Sequence, residues 1–445
     1  MIDLVIIGAG PGGFDTAIHA KEKGLDVVLI ERHKVGGTCL NYGCIPTKTL
    51  YHNAKTIKNM KELDVFGVEV EDFKVNYETI KLRKETIVEN QINNILTSIN
   101  KLGIKLIEGE AKIIYPHKVE VNGEIIEAKN IIIATGSVSK RIQFDGSDFD
   151  IIHDSQDILS LKTFPKKMVV VGAGVIGCEM ASIFNHFDCD VTLVEYLDEI
   201  LPPLDKDIKK RARNLFKRSG IDIYTKSALK KVIKKDNLYF AVVESKGKII
   251  EIETDYVLLA TGRVPSFGNL DLDNLGIEYT NAGIKVDDNF ETNVKSVYAI
   301  GDVTGIMMLA HKATYDGYKV VSKILGKDMD INFNQVPSVV FSFPEISSVG
   351  VTEQELLGKV YRTNKYLFKT NAKAECLNET DGFVKLIVDE NDILVGAHII
   401  GAHASDLIHE LTTIMYKKIN IYEYQNIIHA HPTISEVIGE CIKKF

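Results

Sequence analysis

Residues 3–31 read DLVIIGAGPGGFDTAIHAKEKGLDVVLIE, and residues 167–195 read KMVVVGAGVIGCEMASIFNHFDCDVTLVE. The two stretches align at an offset of 164 residues without a gap. Each consists of an apolar run, a G-x-G-x-x-G turn, an amphipathic segment, a second apolar run and a terminal acid. This order predicts a strand, a tight turn, a helix and a second strand, which together bind one dinucleotide. The repeat therefore predicts two such units in one chain.

The glycines and the terminal acids predict where each dinucleotide lies. The first glycine permits the tight turn, the second lets the backbone approach a pyrophosphate, and the third lets the helix pack on the strand. The acid suits a ribose diol and repels a 2′-phosphate, and no arginine follows Glu195 in YLDEILPPLD (196–205), so we expect the second unit to prefer NAD over NADP. The residues with these roles are Gly8, Gly10, Gly13 and Glu31 in the first copy and Gly172, Gly174, Gly177 and Glu195 in the second.

Length and composition favour a globular chain of about three domains. The 445 residues are 45% apolar and 26% charged, and the net charge of −8 provides no basic surplus for nucleic acid as the main partner. No apolar run reaches the roughly 18 residues of a membrane helix. The opening MIDLVIIGAG has no basic leader, and six cysteines are too few for a secreted disulfide scaffold, so we expect a cytoplasmic protein.

Three further segments predict buried strands. NIIIATGS (130–137) and DYVLLATGR (255–263) each end in Ala-Thr-Gly and are expected to close the two nucleotide units, and SVYAIGD (296–302) ends in Asp302. From about residue 331 the pattern changes to alternating stretches such as FVKLIVDE and ILVGAHIIG. These predict an antiparallel sheet, with helices around 404–418 and 433–443.

A cysteine pair follows the first unit, in GGTCLNYGCIPTKTL (36–50). A structural zinc site would need a second pair of ligands, which the other four cysteines do not form, so a labile disulfide between Cys39 and Cys44 is favoured. Five residues of regular helix rise about 7.5 Å, more than the roughly 6.8 Å limit between the Cα atoms of a disulfide. A bridge therefore needs a distorted turn, which Gly43 can supply, while Pro46 fits an early helical turn.

Lys48 lies one helical turn after Cys44 and leaves two interpretations open. A buried cation there would stabilise a thiolate or a reduced flavin, whereas most lysines are solvated. Two dinucleotide sites and a reactive disulfide imply a flavin between the nicotinamide and the sulfurs. Because the cysteines follow the first terminal acid, FAD is expected in the first unit and NAD in the second.

The segment HAHPTISE (429–436) contains a candidate base. Pro432 is expected to start a helix and leave His431 at its mouth, with Glu436 reaching back to the imidazole. A helix-capping histidine is the alternative, and the need of thiol chemistry for a proton carrier favours the base. The neighbouring His429 is expected to be structural.

These motifs together resemble the flavoprotein disulfide reductases, the pyridine nucleotide-disulfide oxidoreductases. The resemblance covers essentially the whole chain and is strongest in GGTCLNYGCIPTK, in HAHPTISE and in ETDGFVKLIVDENDILVGAHIIGAHASDLIHE (379–410). It implies an α/β fold with two Rossmann-like dinucleotide-binding domains and a C-terminal α+β dimerisation domain. The implied boundaries are 1–145 for the FAD-binding domain, 146–263 for the NAD-binding domain, 264–330 for a central segment that completes the first domain, and 331–445 for the dimerisation domain.

The resemblance also implies an activity and a role for each site residue. The reaction is the oxidation of dihydrolipoamide by NAD⁺, and the partners are a lipoyl domain of a 2-oxoacid dehydrogenase or glycine cleavage complex and a second copy of the chain, whose active site is shared across subunits. Cys39 exchanges with lipoamide, Cys44 lies against the flavin, and Lys48 pairs with Glu179. Glu31 binds the adenosine ribose. The other implied contacts are Ala111, Asp302 and Ala310 with FAD, Glu195, Ala260, Gly262 and Arg263 with NAD, and His431 with Glu436 on the disulfide of the other subunit.

Other functions and some departures from the family pattern stay open. Reduction of another disulfide or of mercuric ion is the alternative within the class, although Cys441 is alone where a C-terminal pair would be expected. A non-catalytic flavoprotein scaffold is the alternative outside it. Tyr42 stands where a small aliphatic residue is common, SFPEIS (342–347) lacks a polar residue before its proline, and Asp15 and Thr16 replace apolar residues, with Asp15 expected in the first helical turn.

Overall fold

The computed structural model of the chain describes residues 1–161 and 163–445. Contacts within the chain divide it into two compact units. Unit 1 comprises Met1–Thr49, Glu78–Lys140 and Gly262–Ile331, and unit 2 comprises Leu50–Tyr77, Arg141–Thr261 and Asn332–Phe445. The domain boundaries and domain roles expected from the sequence stay predictions.

The strands are numbered in chain order. They are β1 (Ile2–Ile7), β2 (Val27–Glu31), β3 (Lys105–Glu108), β4 (Ala111–Tyr115), β5 (Lys118–Val121), β6 (Glu124–Ile133), β7 (Ser137–Ser139), β8 (Ile152–His153), β9 (Lys167–Val171), β10 (Asp190–Val194), β11 (Asp222–Tyr224), β12 (Ser227–Lys235), β13 (Leu238–Ser245), β14 (Lys248–Thr254), β15 (Tyr256–Leu259), β16 (Arg263–Pro265), β17 (Tyr279–Thr280), β18 (Gly283–Ile284), β19 (Val297–Ala299), β20 (Ser338–Val340), β21 (Ile346–Gly350), β22 (Tyr361–Leu367), β23 (Phe383–Asp389) and β24 (Leu394–Ile400).

The α-helices are numbered in the same way. They are α1 (Pro11–Glu22), α2 (Gly37–Tyr42), α3 (Cys44–Lys61), α4 (Tyr77–Leu102), α5 (Ser155–Ile158), α6 (Val175–His186), α7 (Lys206–Arg218), α8 (Ala310–Ile324), α9 (Ala372–Cys376), α10 (Ala404–Lys417), α11 (Ile421–Tyr424) and α12 (Glu436–Ile442). Short 3₁₀ helices lie at Leu63–Phe66, Gly301–Thr304, Phe333–Gln335, Glu353–Leu356 and Phe368–Thr370.

Unit 1 is built on a seven-stranded sheet. Its order is β3-β2-β1-β6-β5-β4, with β19 paired to β6, and the pairs of β1 with β2 and with β6 are parallel. Residues 4–7 of β1, 27–30 of β2 and 131–133 at the end of β6 are runs of valine, leucine and isoleucine that are almost fully buried, as expected for a parallel sheet covered on both faces. The predicted strand before Asp302 is confirmed as β19.

Unit 2 repeats this arrangement and adds two antiparallel sheets. Its parallel sheet has the order β11-β10-β9-β15-β8, so β9, the glycine turn, α6 and β10 correspond to β1, the first turn, α1 and β2. The other two sheets have the orders β12-β13-β14 and β20-β21-β24-β23-β22. The predicted repeat, the two strands ending in Ala-Thr-Gly, and the antiparallel sheet after residue 331 are all confirmed.

Candidate active site

The first glycine of each repeat needs a backbone that other residues rarely adopt. Gly8 has φ of +104° and Gly172 has φ of +101°. A Cβ at Gly8 would lie 2.4 Å from the carbonyl oxygen of Ala134, and a Cβ at Gly172 would lie 2.4 Å from that of Ala260. The Ala-Thr-Gly segments directly follow β6 and β15, and each packs against the glycine turn of its own unit.

The second and third glycines differ in what surrounds them. A Cβ at Gly13 or Gly177 would lie 1.8 Å or 1.9 Å from the carbonyl oxygen of the first glycine of the same turn, so the helix packs on the turn only without a side chain. A Cβ at Gly174 would have no atom within 4 Å, and one at Gly10 would meet only the Cα of Gly37, at 4.0 Å. The open space beside each middle glycine fits a pyrophosphate at a helix N-terminus.

The two terminal acids are held in matching geometry. Glu31 Oε2 accepts a hydrogen bond from the Ala9 N–H at 2.7 Å, and Oε1 accepts one from the His33 N–H at 2.8 Å. Glu195 repeats the pattern, with the Ala173 N–H at 2.6 Å and the N–H two residues after the acid at 2.8 Å. Each carboxylate is thus fixed beside its glycine turn with lone pairs left for a ribose diol. The residues of both turns fit one dinucleotide each.

The two cysteines flank a break between helices. Cys39 lies inside α2, Cys44 is the first residue of α3, and Gly43 between the helices has φ of −145° and ψ of −105°. A Cβ at Gly43 would lie 3.1 Å from the carbonyl oxygen of Thr38, a close approach that favours glycine. The predicted distorted turn at Gly43 is confirmed, and Pro46 lies in the first turn of α3 as expected.

The side chains of Cys39 and Cys44 interact with each other. The hydrogen bond with Cys44, followed by burial, raises the pKa of Cys39 well above its ordinary value, because both favour the protonated thiol. The positive charge of Lys48 acts in the opposite direction and lowers the pKa of Cys39. Lys48 lies on α3, one turn after Cys44, so the predicted shared helix face is confirmed.

A hydrogen-bonded chain holds Asp302. The Ser137 hydroxyl donates to Asp302 Oδ2 at 2.5 Å, and Arg263 donates from Nε to Ser137 Oγ at 2.8 Å and from a terminal nitrogen to the Ser137 carbonyl at 2.7 Å. Strand β16, which begins at Arg263, pairs antiparallel with β7, which begins at Ser137. All three residues belong to unit 1. The predicted contact of Arg263 with NAD stays a prediction, and Ser137 was not predicted.

The remaining candidate contacts with FAD lie at the starts of elements. Ala111 is the buried first residue of β4, and Ala310 is the first residue of α8. The turn that carries Asp302 is anchored to α8, because the Gly301 N–H donates to Asp316 Oδ2 at 3.1 Å. Lys312 donates to the same oxygen at 2.8 Å, and both side chains of this ion pair are buried.

His431 and Glu436 are in contact as predicted. His431 Nδ1 lies 2.9 Å from Glu436 Oε1, and Glu436 Oε2 accepts the Thr433 N–H at 2.8 Å. The Thr433 N–H, followed by the bond with His431, holds the pKa of Glu436 below its ordinary value. The predicted helix start at Pro432 is wrong: α12 begins at Glu436, after a turn in which the Val437 and Ile438 N–H groups bond to the carbonyl oxygens of Ile434 and Ser435, three residues earlier.

His429 and Glu179 are held by other residues of unit 2. His429 Nε2 lies 3.0 Å from Glu410 Oε1 and 3.0 Å from the Tyr424 hydroxyl, which agrees with a structural role. Glu179 is buried on α6 and accepts the Phe341 N–H at 2.9 Å. Its expected pairing with Lys48 joins residues of the two units and stays a prediction.

Two departures from the family pattern have local explanations. Phe343 of SFPEIS stacks on Tyr51, with ring centroids 4.6 Å apart, so an aromatic ring fills this position. Asp15 is the fifth residue of α1, so the prediction that it lies in the first helical turn is wrong. Its carboxylate accepts a hydrogen bond from the Thr314 hydroxyl at 2.7 Å. The Thr16 hydroxyl donates to the Gly12 carbonyl oxygen within the same helix.

No helix within residues 1–161 and 163–445 combines the length and apolar character needed to cross a membrane. Over the same ranges, no cluster of three or more His, Cys, Asp or Glu side chains has a geometry that could hold a metal ion.

Two glycine turns, an acid held beside each turn, and a pair of neighbouring cysteines together define a dinucleotide-dependent disulfide oxidoreductase. Residues 2–317 match the family model "Pyridine nucleotide-disulphide oxidoreductase", and residues 336–442 match the dimerisation domain of the same family. The chain belongs to this family, and the resemblance found in the sequence is confirmed. It is therefore an oxidoreductase with an α/β fold, and its cofactors are FAD and NAD(H).

Similar proteins match over nearly the whole chain. Dihydrolipoyl dehydrogenase of Chlamydia pneumoniae is 36% identical, and the match covers 98% of this chain and 95% of the relative. Dihydrolipoyl dehydrogenase of Bacillus subtilis is 34% identical, with 99% and 97% covered. Among solved structures, the HOCl-induced flavoprotein disulfide reductase of Escherichia coli has a TM-score of 0.89 at 28% identity, with 99% of both chains covered.

Proposed function

We propose that the chain is a dihydrolipoyl dehydrogenase, which converts dihydrolipoamide and NAD⁺ to lipoamide, NADH and a proton. One observation carries this proposal: Cys39 and Cys44 interact across a helix break that follows the ribose acid of the first unit. A dithiol at this place takes up and returns two electrons by opening and closing a disulfide. The relatives named dihydrolipoyl dehydrogenase support the choice of substrate.

The sulfur chemistry of this proposal balances without another reagent. One thiolate of dihydrolipoamide attacks Cys39 of the disulfide and releases Cys44, and the second substrate thiolate then displaces Cys39 to close lipoamide. His431 takes a proton from an attacking thiol and returns it to the sulfur that leaves. FAD, when bound, supplies a carrier for the electron pair between the reduced cysteines and the nicotinamide.

The remaining roles follow the geometry of the site residues. Because the Glu436 carboxylate accepts the Nδ1 proton of His431, Nε2 is the atom that can accept a proton from a thiol. Lys48, with Glu179, supplies a positive charge beside the sulfurs and the flavin. The proposed contacts with FAD are Gly8, Gly10, Gly13, Glu31, Ala111, Asp302 and Ala310, and those with NAD are Gly172, Gly174, Gly177, Glu195, Ala260, Gly262 and Arg263.

The proposal includes a homodimer in which His431 and Glu436 of one subunit act on the cysteines of the other. The match of residues 336–442 to a dimerisation domain supports this, as does the exposure of the His431 side chain, which is 73% in the single chain. The expected partner is a lipoyl domain of a 2-oxoacid dehydrogenase or glycine cleavage complex, and a cytoplasmic location also stays a prediction.

The alternative substrates are tested directly by steady-state assays. The purified protein would be supplied with lipoamide, glutathione disulfide and coenzyme A disulfide, with NADH and NADPH in turn. We expect turnover with lipoamide and NADH, and preference for either other disulfide would replace the proposal. Cys441 is fully buried beside the Val384 carbonyl oxygen and offers no second pair for mercuric ion.

Two-electron reduction of the holoenzyme tests the cysteine pair itself. We expect a long-wavelength absorption band, because a Cys44 thiolate would lie against the oxidised flavin. Reduction that only bleaches the flavin would contradict the assignment of Cys44, and it would leave the non-catalytic scaffold as the better description.

The variant His431→Gln tests the base. We expect FAD content and flavin reduction by NADH to be unchanged, and lipoamide turnover to fall about a hundredfold or more, the usual range for loss of a general base. The matched control is His409→Gln, an exposed histidine on α10. Unchanged lipoamide turnover in His431→Gln would remove the base role.

A further inference from the structure

Tyr42 lies between the two cysteines and departs from the family pattern. Its side chain contacts His33, two residues after Glu31 at the end of β2. Its hydroxyl lies 2.5 Å from His33 Nε2, and the two rings are stacked with centroids 5.7 Å apart and an interplanar angle of 16°. The hydrogen bond runs in either direction according to the histidine tautomer. Burial, followed by the charge of Glu31, raises the pKa of Tyr42 above its ordinary value, so its hydroxyl stays protonated.

His33 is itself fixed to the nucleotide unit. Its N–H donates to Glu31 Oε1 at 2.8 Å, and Glu31 Oε2 accepts the Ala9 N–H at 2.7 Å. The Gly36 N–H donates to the Ala9 carbonyl oxygen at 2.8 Å. The segment from Glu31 to Tyr42 is therefore a closed loop whose two ends are joined through the side chains of His33 and Tyr42.

Helix α2 depends on contacts of this kind. It has six residues, Gly37–Tyr42, and a helix of this length is not stable by itself in water. The Asn41 side chain holds the N-terminal end of α2, because its Nδ2 donates to the carbonyl oxygens of Val35 and Gly37 at 3.0 Å and 2.9 Å. Tyr42 is the last residue of α2, and only Gly43 separates it from Cys44.

We propose that Tyr42 is a positioning residue for the cysteine pair, and that its hydrogen bond to His33 holds the end of α2 so that Cys39 stays beside Cys44. This inference rests on the proposed function and adds a residue to it. Holding the two sulfurs together raises their effective concentration toward each other. The bond therefore favours the disulfide over the dithiol, and the pair is more reducing with the bond than without it.

Two variants remove the hydrogen bond and keep the rings. Tyr42→Phe lacks the hydroxyl, and His33→Phe lacks the nitrogen. The holoenzyme would be equilibrated in dithiothreitol or glutathione buffers of known potential, and the reduced fraction of Cys39 and Cys44 would be counted by alkylation and mass spectrometry. We expect each variant to lower the equilibrium constant for disulfide formation roughly fivefold, which raises the reduction potential by about 20 mV.

The double variant and a control make the test specific. The double variant should shift the potential no further than either single variant, because both remove the same bond. Tyr115→Phe, an exposed tyrosine of the same unit, should leave the potential unchanged, and FAD content should be unchanged throughout. A lost structural contact alone would lower thermal stability without moving the potential.

Three results would overturn the inference. An unchanged potential in Tyr42→Phe would do so, and so would shifts that add in the double variant, since the two side chains would then act separately. Both results leave the proposed function intact. If the cysteines of the unaltered protein form no disulfide in any buffer, the proposed function fails, and the inference fails with it.

Discussion

Glu436 makes two hydrogen bonds at once, and this decides what a small change there does. One carboxylate oxygen accepts the Thr433 N–H and the other accepts from His431. The lowered pKa of Glu436 keeps its carboxylate charged as the pH falls. Its interaction with His431 therefore loses the negative charge only at a pH below the ordinary pKa of a glutamate. We expect Glu436→Gln to lower lipoamide turnover by about tenfold to a hundredfold, because the imidazole loses its charged partner.

The measurement for Glu436→Gln separates the two half-reactions. Flavin reduction by NADH, followed by stopped-flow absorbance, should be unchanged, while steady-state lipoamide turnover falls. Glu423→Gln, an exposed acid on α11, is the matched control. Equal loss in both half-reactions would show that the change disturbs folding or cofactor binding instead of proton transfer.

At the residue scale, spacing predicts local contacts and little else. The helix break at Gly43 and the contact of His431 with Glu436 follow from sequence separations of five residues or fewer. The bond between Ser137 and Asp302 joins residues 165 positions apart, and no local pattern encodes it. Its only sequence signal is that Ser137 directly follows a strand ending in Ala-Thr-Gly, where ligand contacts in parallel sheets cluster.

At the element scale, the second glycine turn allows an effect on cofactor binding to be distinguished from an effect on folding. Gly174 has φ of −73°, which alanine adopts, and its Cβ would meet no protein atom within 4 Å. We expect Gly174→Ala to leave the melting temperature unchanged and to weaken NADH binding about tenfold, since the methyl group would enter the space proposed for the pyrophosphate. Fluorescence titration with NADH would measure this, and FAD content should not change.

Gly177→Ala is the contrasting change in the same turn. Its Cβ would lie 1.9 Å from the carbonyl oxygen of Gly172, so the helix must shift, and we expect a loss of about 1–3 kcal/mol in the free energy of unfolding. If Gly174→Ala also destabilised the fold and left NADH affinity unchanged, the space beside Gly174 would not be a binding site.

The elements themselves were largely predictable, and the exception has a physical reason. Near-continuous apolar runs predict buried parallel strands, and β1, β2, β9, β15 and the last three residues of β6 all agree. The predicted start of the last helix at Pro432 failed because proline is only one helix-start signal. The Val437 and Ile438 N–H groups bond to carbonyl oxygens three residues earlier, as in a 3₁₀ turn, and the first residue of the regular helix is Glu436.

At the scale of the whole molecule, unit 2 contains a charge cluster around a buried lysine that no sequence motif predicts. Lys385 on β23 is fully buried, and its Nζ donates to Asp205 at 2.7 Å, to Asp207 at 2.6 Å and to Glu353 at 2.6 Å. The sequence pattern of β23 predicts a strand with a buried face, but it does not predict which acids contact Lys385. Asp205 and Asp207 lie together at the start of α7, and Glu353 lies in a separate 3₁₀ helix far along the chain, so the cluster follows from the tertiary fold of unit 2.

The charges of this cluster predict a pH-dependent cost of losing Lys385. Burial alone would raise the pKa of Asp205, but the hydrogen bond from Lys385 holds it below its ordinary value, and the pKa of Glu353 is also lowered. Carboxyls with lowered pKa stabilise the fold above their unfolded pKa and lose that contribution as the pH falls through the folded value. Burial opposes the charge of Lys385, yet its three partners raise its pKa, so its contribution persists up to high pH.

We therefore expect Lys385→Met to lose about 3–5 kcal/mol in the free energy of unfolding at pH 7, because the buried carboxylate of Asp205 is left without its cation. The loss should shrink toward pH 4, where the carboxyls of the cluster take up protons and their mutual repulsion disappears. Urea unfolding across this pH range would measure it. The control Lys285→Met removes an exposed ion pair with Glu278 and should change stability by no more than about 0.5 kcal/mol. A loss that stays constant from pH 7 to pH 4 would mean that Lys385 acts through packing and not through its charge.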